Sequence, residues 1–252
     1  MLASEYFSIP VLSIGLLFLV GAALYASVGH GGASSYLAVM ALFGLAADVM
    51  KPTALALNIL VAGVATFRFY RAGLFSGSLF WPFAIASVPA AFAGGATELP
   101  GRWYKILVGA VLLYAAVWMF RSARTLASTI TSRPPFWAAL SSGAVIGFLS
   151  GLSGVGGGIF LSPLLLYLGW AEIRETSGVA APFILVNSVA GLLGHVSSVE
   201  RLPPAVPIWA IAAVSGGWIG ATYGSRTAPA PLLRQLLSVV LVVAGAKLIL
   251  VS

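Results

Sequence analysis

Two stretches of this chain contain no Lys, Arg, Asp or Glu: residues 6 to 47, between Glu5 and Asp48, and residues 134 to 171, between Arg133 and Glu172. They hold 42 and 38 residues. A helix rising about 1.5 Å per residue crosses a hydrocarbon core of about 30 Å in about 20 residues. Each stretch is therefore nearly two crossings long, and the chain must bend back inside it.

Composition names the solvent. Hydrophobic residues make up 60% of the chain and charged residues 8%, with a mean hydropathy of +1.04. A soluble domain carries charge on roughly a quarter of its residues. Lipid must supply the surroundings here. Further apolar runs at 52 to 67, 73 to 97, 106 to 120, 176 to 199, 202 to 225 and 235 to 252 complete a multi-pass, all-α pattern that places the chain in the cell (plasma) membrane. The net charge of +7 comes from bases standing singly or in small groups at the ends of these runs. That distribution fits membrane orientation and makes no nucleic-acid face. There are no cysteines, which excludes disulfides and thiolate metal sites. The first apolar run lacks the basic segment that opens a signal peptide and has a counterpart later in the chain, so it reads as retained structure.

That counterpart is part of an internal repeat. AIASVPAAFAGG (84 to 95) lies over AIAAVSGGWIGA (210 to 221), and GHGGASSYLAVMALFG (29 to 44) lies over GVGGGIFLSPLLLYLG (154 to 169). Asn58 and Asn187 open similar runs, NILVAG and NSVAGL. Each repeat reads as a glycine-tipped hairpin followed by three transmembrane helices. The first covers 1 to 125, with its hairpin at 7 to 47 and helices near 52 to 69, 73 to 97 and 102 to 121. A basic loop at 126 to 134 follows. The second covers 135 to 252, with its hairpin at 135 to 171 and helices near 177 to 197, 203 to 224 and 231 to 251. If each uncharged stretch were one bent span the repeats would be parallel and the bases divided 7:6; if each is a hairpin, every unit ends on the side opposite its start, the division is 8:5, and the repeats are expected to be inverted. That arrangement puts Arg68, Arg71, Arg121, Arg124, Arg133, Arg174, Arg226 and Arg234 inside, and Lys51, Arg102, Lys105, Arg201 and Lys247 outside.

Inverted repeats with interrupted helices are a transporter design, with the site where the interruptions meet. The interruptions here are Gly29-His30-Gly31-Gly32 and Gly154-Val155-Gly156-Gly157-Gly158. Glycine permits the turn and the close approach of a ligand to main chain. A helix starting just beyond each tip would aim its N–H groups and positive dipole end at an anion. Neither cluster follows a strand or ends in Gly-Lys-Ser/Thr, so neither is a phosphate loop. Gly216 and Gly220 instead fit close helix packing.

An apolar helix running into a glycine tip and a second short helix, repeated at half-length, resembles the TauE/SafE family of sulfite exporters. FLSGLSGVGGGIFLSPLLLYLG is the most specific segment, and the resemblance covers nearly the whole chain. It implies transport, usually outward, of sulfite, thiosulfate or sulfonates, with Gly154, Gly156, Gly157 and Gly158 in the substrate-binding tip. The first tip departs from the pattern, with His30 and Ala33 where the second has Val155 and Gly158.

Other polar residues in apolar surroundings extend the candidate site. Asn58 and Asn187 need partners when buried, and either bind solute or brace the tips. Ser34, Ser153 and Ser188 are weaker candidates, since serine bonds its own helix backbone readily. His30 is placed to titrate near neutral pH and to serve a coupling proton. His195 is expected to cap a helix or face the outer interface beside Glu200. No carboxylate falls inside a predicted span, which argues against a carboxylate proton relay and a hard-cation site. Trp81, Trp103, Tyr104 and Trp137 read as interfacial anchors.

Two rival readings stand beside the carrier. Gly151-Leu152-Ser153-Gly154 matches the GxSG element of rhomboid-like intramembrane serine proteases, with His195 as the partner base. Neither histidine has Asn four residues later, as those enzymes require. The other rival is a passive channel for an uncharged solute. The expectation is a non-enzymatic carrier of a small sulfur-containing anion, working by alternating access without cofactor or metal, with a homodimer allowed.

Overall fold

The computed structural model describes residues 9–122, 132–195, 202–226 and 231–250. Most of the expected basic loop (126 to 131), together with Arg124, Glu200 and Arg201, lies outside the described residues.

Ten helices form among the described residues: α1 Ile9–Ala26, α2 Ala33–Leu42, α3 Ala47–Arg71, α4 Gly77–Ala96, α5 Gly101–Ser122, α6 Phe136–Ser153, α7 Gly158–Tyr167, α8 Ile173–Gly194, α9 Val206–Arg226 and α10 Pro231–Leu250. Seven of them, α1, α3, α4, α5, α6, α8 and α9, are long and apolar enough to cross a bilayer. The protein is an all-α, multi-pass membrane protein.

The hairpins are lopsided. Their outgoing arms α1 and α6 have 18 residues each, whereas the returning arms α2 and α7 have 10. Ten helical residues extend about 15 Å, half a hydrocarbon core. Neither returning arm is therefore long enough to cross the core by itself.

The two hairpins turn at matching places. Gly29 and Gly154 have φ of 77° and 84°, Gly32 and Gly157 of 97° and 85°, and Gly44 and Gly169 of 75° and 63°. All three pairs are 125 residues apart, the offset at which the sequences align. An L side chain at such φ is strained, so the repeat in sequence is a repeat in backbone conformation.

The helices pair across the halves. α4 of the first half packs along α6 of the second, and α9 of the second along α1 of the first. α3 and α8 face each other at the centre, and α5 lies against α10. Small residues let these backbones approach. A methyl group at Gly143, Gly147 or Gly151 of α6 would overlap the carbonyls of Phe83, Ser87 and Ala91 of α4. One at Gly216, Gly220 or Gly224 of α9 would overlap those of Leu19, Ala23 and Ser27 along α1. In lipid, where apolar burial gains little, such contact holds helices together. Gly216 and Gly220 are packing residues, as the sequence implied.

Candidate functional site

The two tips meet beside α3, where His30 of the first reaches Gly158 of the second. Asn58 of α3 stands between them, fully buried. Its Oδ1 accepts from the main-chain N–H of Ala33, the first residue of α2, at 3.2 Å. Its Nδ2 donates to the carbonyl of Val155 in the second tip at 3.3 Å and to Ser188 Oγ of α8 at 3.1 Å. One amide thus ties three elements from both halves. Gly31 and Gly156 lie against it from opposite tips, where a Cβ on either would strike the Asn58 amide and the Ile184 side chain.

The first tip is further fixed by its own helix. Tyr36 Oη donates to the Gly31 carbonyl at 2.9 Å, and Ser35 Oγ to that of Gly32 at 2.7 Å. α2 and α7 begin at Gly32 and Gly157, neither with a side-chain cap. Both N-cap glycines are buried.

His30 makes the second link between halves. Its Nδ1 lies 3.1 Å from the Val28 carbonyl and its Nε2 3.1 Å from the Gly158 carbonyl, with Ser162 Oγ of α7 3.2 Å from Nε2. Half-buried, it lines a cavity of about 1130 Å³ bounded by α5, α6, α7 and the start of α8. Tyr25, Ser162, Thr176 and Ser177 join it among the polar residues of the lining, with Arg121 from the end of α5. No carboxylate lines this cavity among the described residues.

The remaining sequence candidates divide. Gly29, Gly31, Gly32, Ser34, Gly154, Gly156, Gly157 and Gly158 are buried at or beside the tips. Ser153 sits on the last turn of α6, where its hydroxyl donates to the Leu149 carbonyl of its own helix at 2.6 Å. Asn187, at the α8 position equivalent to Asn58, does not repeat its role. Its Nδ2 donates to Phe183 of its own helix at 2.8 Å, and its buried Oδ1 has no partner. His195 caps the end of α8 and is buried, so it does not face the interface.

Two residues matter more than their sequence context suggests. Lys51 lies inside the first turns of α3, buried, rather than in an outer loop. Its Nζ donates to the carbonyls of Gly95, Thr97 and Gly94 at the end of α4, at 2.9, 3.3 and 3.4 Å. Its Cα and Cγ also pack 3.4 Å from where a Cβ of Gly154 would stand. Tyr104 is buried, and its hydroxyl donates to the Ser153 carbonyl at 3.1 Å. It braces the second tip, whereas Trp81, Trp103 and Trp137 are exposed as interfacial anchors would be. A polar atom at the edge of an apolar run reads equally as boundary or as cap, so only the neighbouring chain ends reveal these roles.

The comparisons with known proteins agree with this architecture. The model of the sulfite exporter TauE/SafE family matches residues 13–248. The chain is 44% identical over 241 residues to the probable membrane transporter protein y4hK of Sinorhizobium fredii, covering 94% of this chain and 98% of that one. A probable membrane transporter protein of Xylella fastidiosa is 33% identical over 86 residues, covering 34% of this chain and 33% of its own. The probable membrane transporter protein YunE of Bacillus subtilis is 29% identical over 110 residues, covering 42% and 38%. No solved structure matches the chain. With its paired glycine tips, crossed helix pairs and a match running through nearly all of its length, the chain belongs to the TauE/SafE family of sulfite exporter-like membrane transporters.

Proposed function

We propose that this transporter carries a small sulfur-containing anion of the sulfite, thiosulfate or sulfonate class by alternating access, outward from the cell. The observation that carries this reading is an asymmetry between the halves. α10 is seated on α2, with Lys247 Nζ donating to the Leu42 carbonyl at 2.7 Å. The equivalent pair in the other half, α5 and α7, stands apart around the 1130 Å³ cavity and meets at the stacked rings of Tyr114 and Phe160, 5.6 Å between centroids. Two like units in unlike conformations are what a carrier needs, since exchanging the conformations moves the opening from one side to the other. Arg121, at the end of α5, is among the lining residues of the cavity, and the distribution of bases would assign that side to the cytoplasm. An exporter would load its anion there.

The tips supply the anion's surroundings. The N-cap glycines of two short helices lie at the tips, and the cavity reaches the first tip at His30, with no carboxylate among the described lining residues to repel a negative charge. His30 serves the coupling proton. Both ring nitrogens face carbonyl oxygens, and only the imidazolium donates to both. Tyr25 packs edge-on to it at 6.2 Å, and Arg121 shares its cavity. Protonation then fastens the first tip to Gly158.

Counterflow in proteoliposomes tests the reading. Vesicles loaded with unlabelled thiosulfate should transiently concentrate labelled thiosulfate above its equilibrium level. Uptake that never overshoots, with flux linear in concentration, would point to the channel; no flux of any sulfur anion would remove the substrate assignment.

A further inference from the structure

Two guanidinium groups stand at α9 without an anion. Arg68 is three residues from the end of α3, close enough for its side chain to extend to the aqueous boundary. It lies instead over the ring of Trp218, with its Cζ 4.9 Å from the ring centroid. Trp218 is itself eight residues before Arg226, the last of α9, or about 12 Å of helix rise. The Arg68 charge is therefore held two turns inside the end of a spanning helix. Among the described residues neither Arg68 nor Arg226 has a hydrogen bond or an ion pair.

Trp218 and Arg226 line one groove of about 400 Å³, together with Ile219, Thr222 and Tyr223. Gly216, Gly220 and Gly224 turn toward α1, and Gly217 toward Val61 of α3, so the groove opens on the outer face of α9. Trp218, Ile219 and Tyr223 are exposed there, where a spanning helix meets lipid. No carboxylate lines the groove among the described residues. A guanidinium left in apolar surroundings without an anion is costly, and its fork of donors matches phosphate oxygens. Arg174 reaches the same end of α9, where its Nη2 donates to the Ser225 carbonyl at 2.9 Å. The distribution of bases would assign this end to the cytoplasm, whose leaflet carries the anionic lipids.

We propose that this groove is a binding site for one acidic phospholipid. The lipid phosphate lies between Arg226 and Arg68, and an acyl chain runs along Trp218 and Ile219. The guanidinium forks take the phosphate oxygens, and the Trp218 ring keeps Arg68 turned along the groove. A small soluble anion would leave the apolar wall bare, and a zwitterionic lipid would bring an ammonium to two cations. The bound lipid joins the end of α3, the helix of Asn58, to α9. The site is separate from the tips and does not depend on which solute is carried.

The test uses the full-length protein in a neutral detergent, with bound lipid counted by native mass spectrometry. Dioleoyl phosphatidylglycerol and dioleoyl phosphatidylcholine are titrated separately, and phosphatidylglycerol is then challenged with inorganic phosphate. The first phosphatidylglycerol should bind roughly 25-fold more tightly than phosphatidylcholine, about fivefold for each base. Arg68→Gln and Arg226→Gln should each lower phosphatidylglycerol affinity about fivefold and leave phosphatidylcholine unchanged. Arg102→Gln, at the start of α5, should leave the preference intact. The wild-type comparison stands without any variant. Equal affinity for the two lipids overturns the proposal, as does an equal loss of preference in Arg102→Gln, which would make it an effect of net charge. Displacement of the lipid by millimolar phosphate makes the groove a site for the free anion and overturns it too. A dimer that forms as lipid is removed, unaffected by Arg68→Gln and Arg226→Gln, would give this face to a second copy and overturn it likewise.

Discussion

The ammonium of Lys247 donates to the carbonyl of Leu42 at 2.7 Å, closing the end of α10 over the end of α2. Buried positions in α5 and α10 align at Leu112 with Leu241, Ala115 with Ala244 and Met119 with Leu248, which puts Trp118 at the register of Lys247. Trp118 lines the open cavity instead of closing over α7. The same two-helix unit is thus closed in one half and open in the other.

Lys247 should accordingly hold the closed side shut. A hydrogen bond to a charged donor contributes about 1.5 kcal/mol or more, so its loss shifts a two-state balance by roughly tenfold. The chain has no native cysteine, so a single probe at Val39→Cys, buried in α2, reports alone. Lys247→Ala should speed its labelling by a membrane-permeant thiol reagent about tenfold. Unchanged labelling would mean that α10 is a fixed wall rather than a gate.

Asn58 and Asn187 should differ sharply despite equivalent positions. Asn58→Ala removes three hydrogen bonds, leaving the Ala33 N–H and the Val155 carbonyl without their partner. Each bond lost beside a buried group costs about 1–3 kcal/mol, so a loss of roughly 3 kcal/mol is expected. Asn187→Ala gives up one bond to its own helix and an oxygen that is already unpaired. It should cost less than about 1 kcal/mol in this state. Unfolding of the two variants in mixed micelles measures the difference; equal losses would contradict the asymmetry at the tips.

The sequence reading reached the membrane class and the all-helical make-up because the signals for both are local. Charge-free stretches need no tertiary knowledge, and Gly29, Gly32 and Gly44 announce the same turns as Gly154, Gly157 and Gly169 through identity alone. Helix existence followed, though α3 starts at Ala47, with Lys51 inside it. The charge marked a boundary in sequence, yet the end of α4 satisfies it in space. Tyr104 was misjudged for the same reason, its acceptor being 49 residues away on α6. The inequality of Asn58 and Asn187 has no sequence signal, because both are asparagines in uncharged helices and only their placed neighbours tell them apart. The cavity is likewise a gap between helices, visible only once α5 has been placed.

The tip glycines should rank by what surrounds them. At Gly154 the nearest atoms to an added Cβ are 3.4 Å away, so alanine pays mainly the backbone strain of φ 84°, about 1–2 kcal/mol. At Gly156 the same methyl would strike Asn58, Ile184 and Ser188, adding displacement of the central amide to similar strain. Gly154→Ala should remain folded and transport, while Gly156→Ala should lose most transport and melt lower. Equal behaviour of the two would mean that the Asn58 junction tolerates displacement.

Replacing His30 should remove a pH dependence of defined sign. The imidazolium donates to both Val28 and Gly158, whereas the neutral ring can donate to one of them. Protonation therefore adds a donor to the linked arrangement described here, which is expected to be favoured at lower pH. A cysteine at Ser141 of α6, on the cavity wall, reads how far this cavity stays open. Its labelling should be faster at pH 5.5 than at pH 8 once reagent reactivity has been corrected against an exposed cysteine, for instance at Trp137. In His30→Gln, which keeps one donor at every pH, the corrected ratio should approach one. If the ratio survives that change, the proton acts elsewhere.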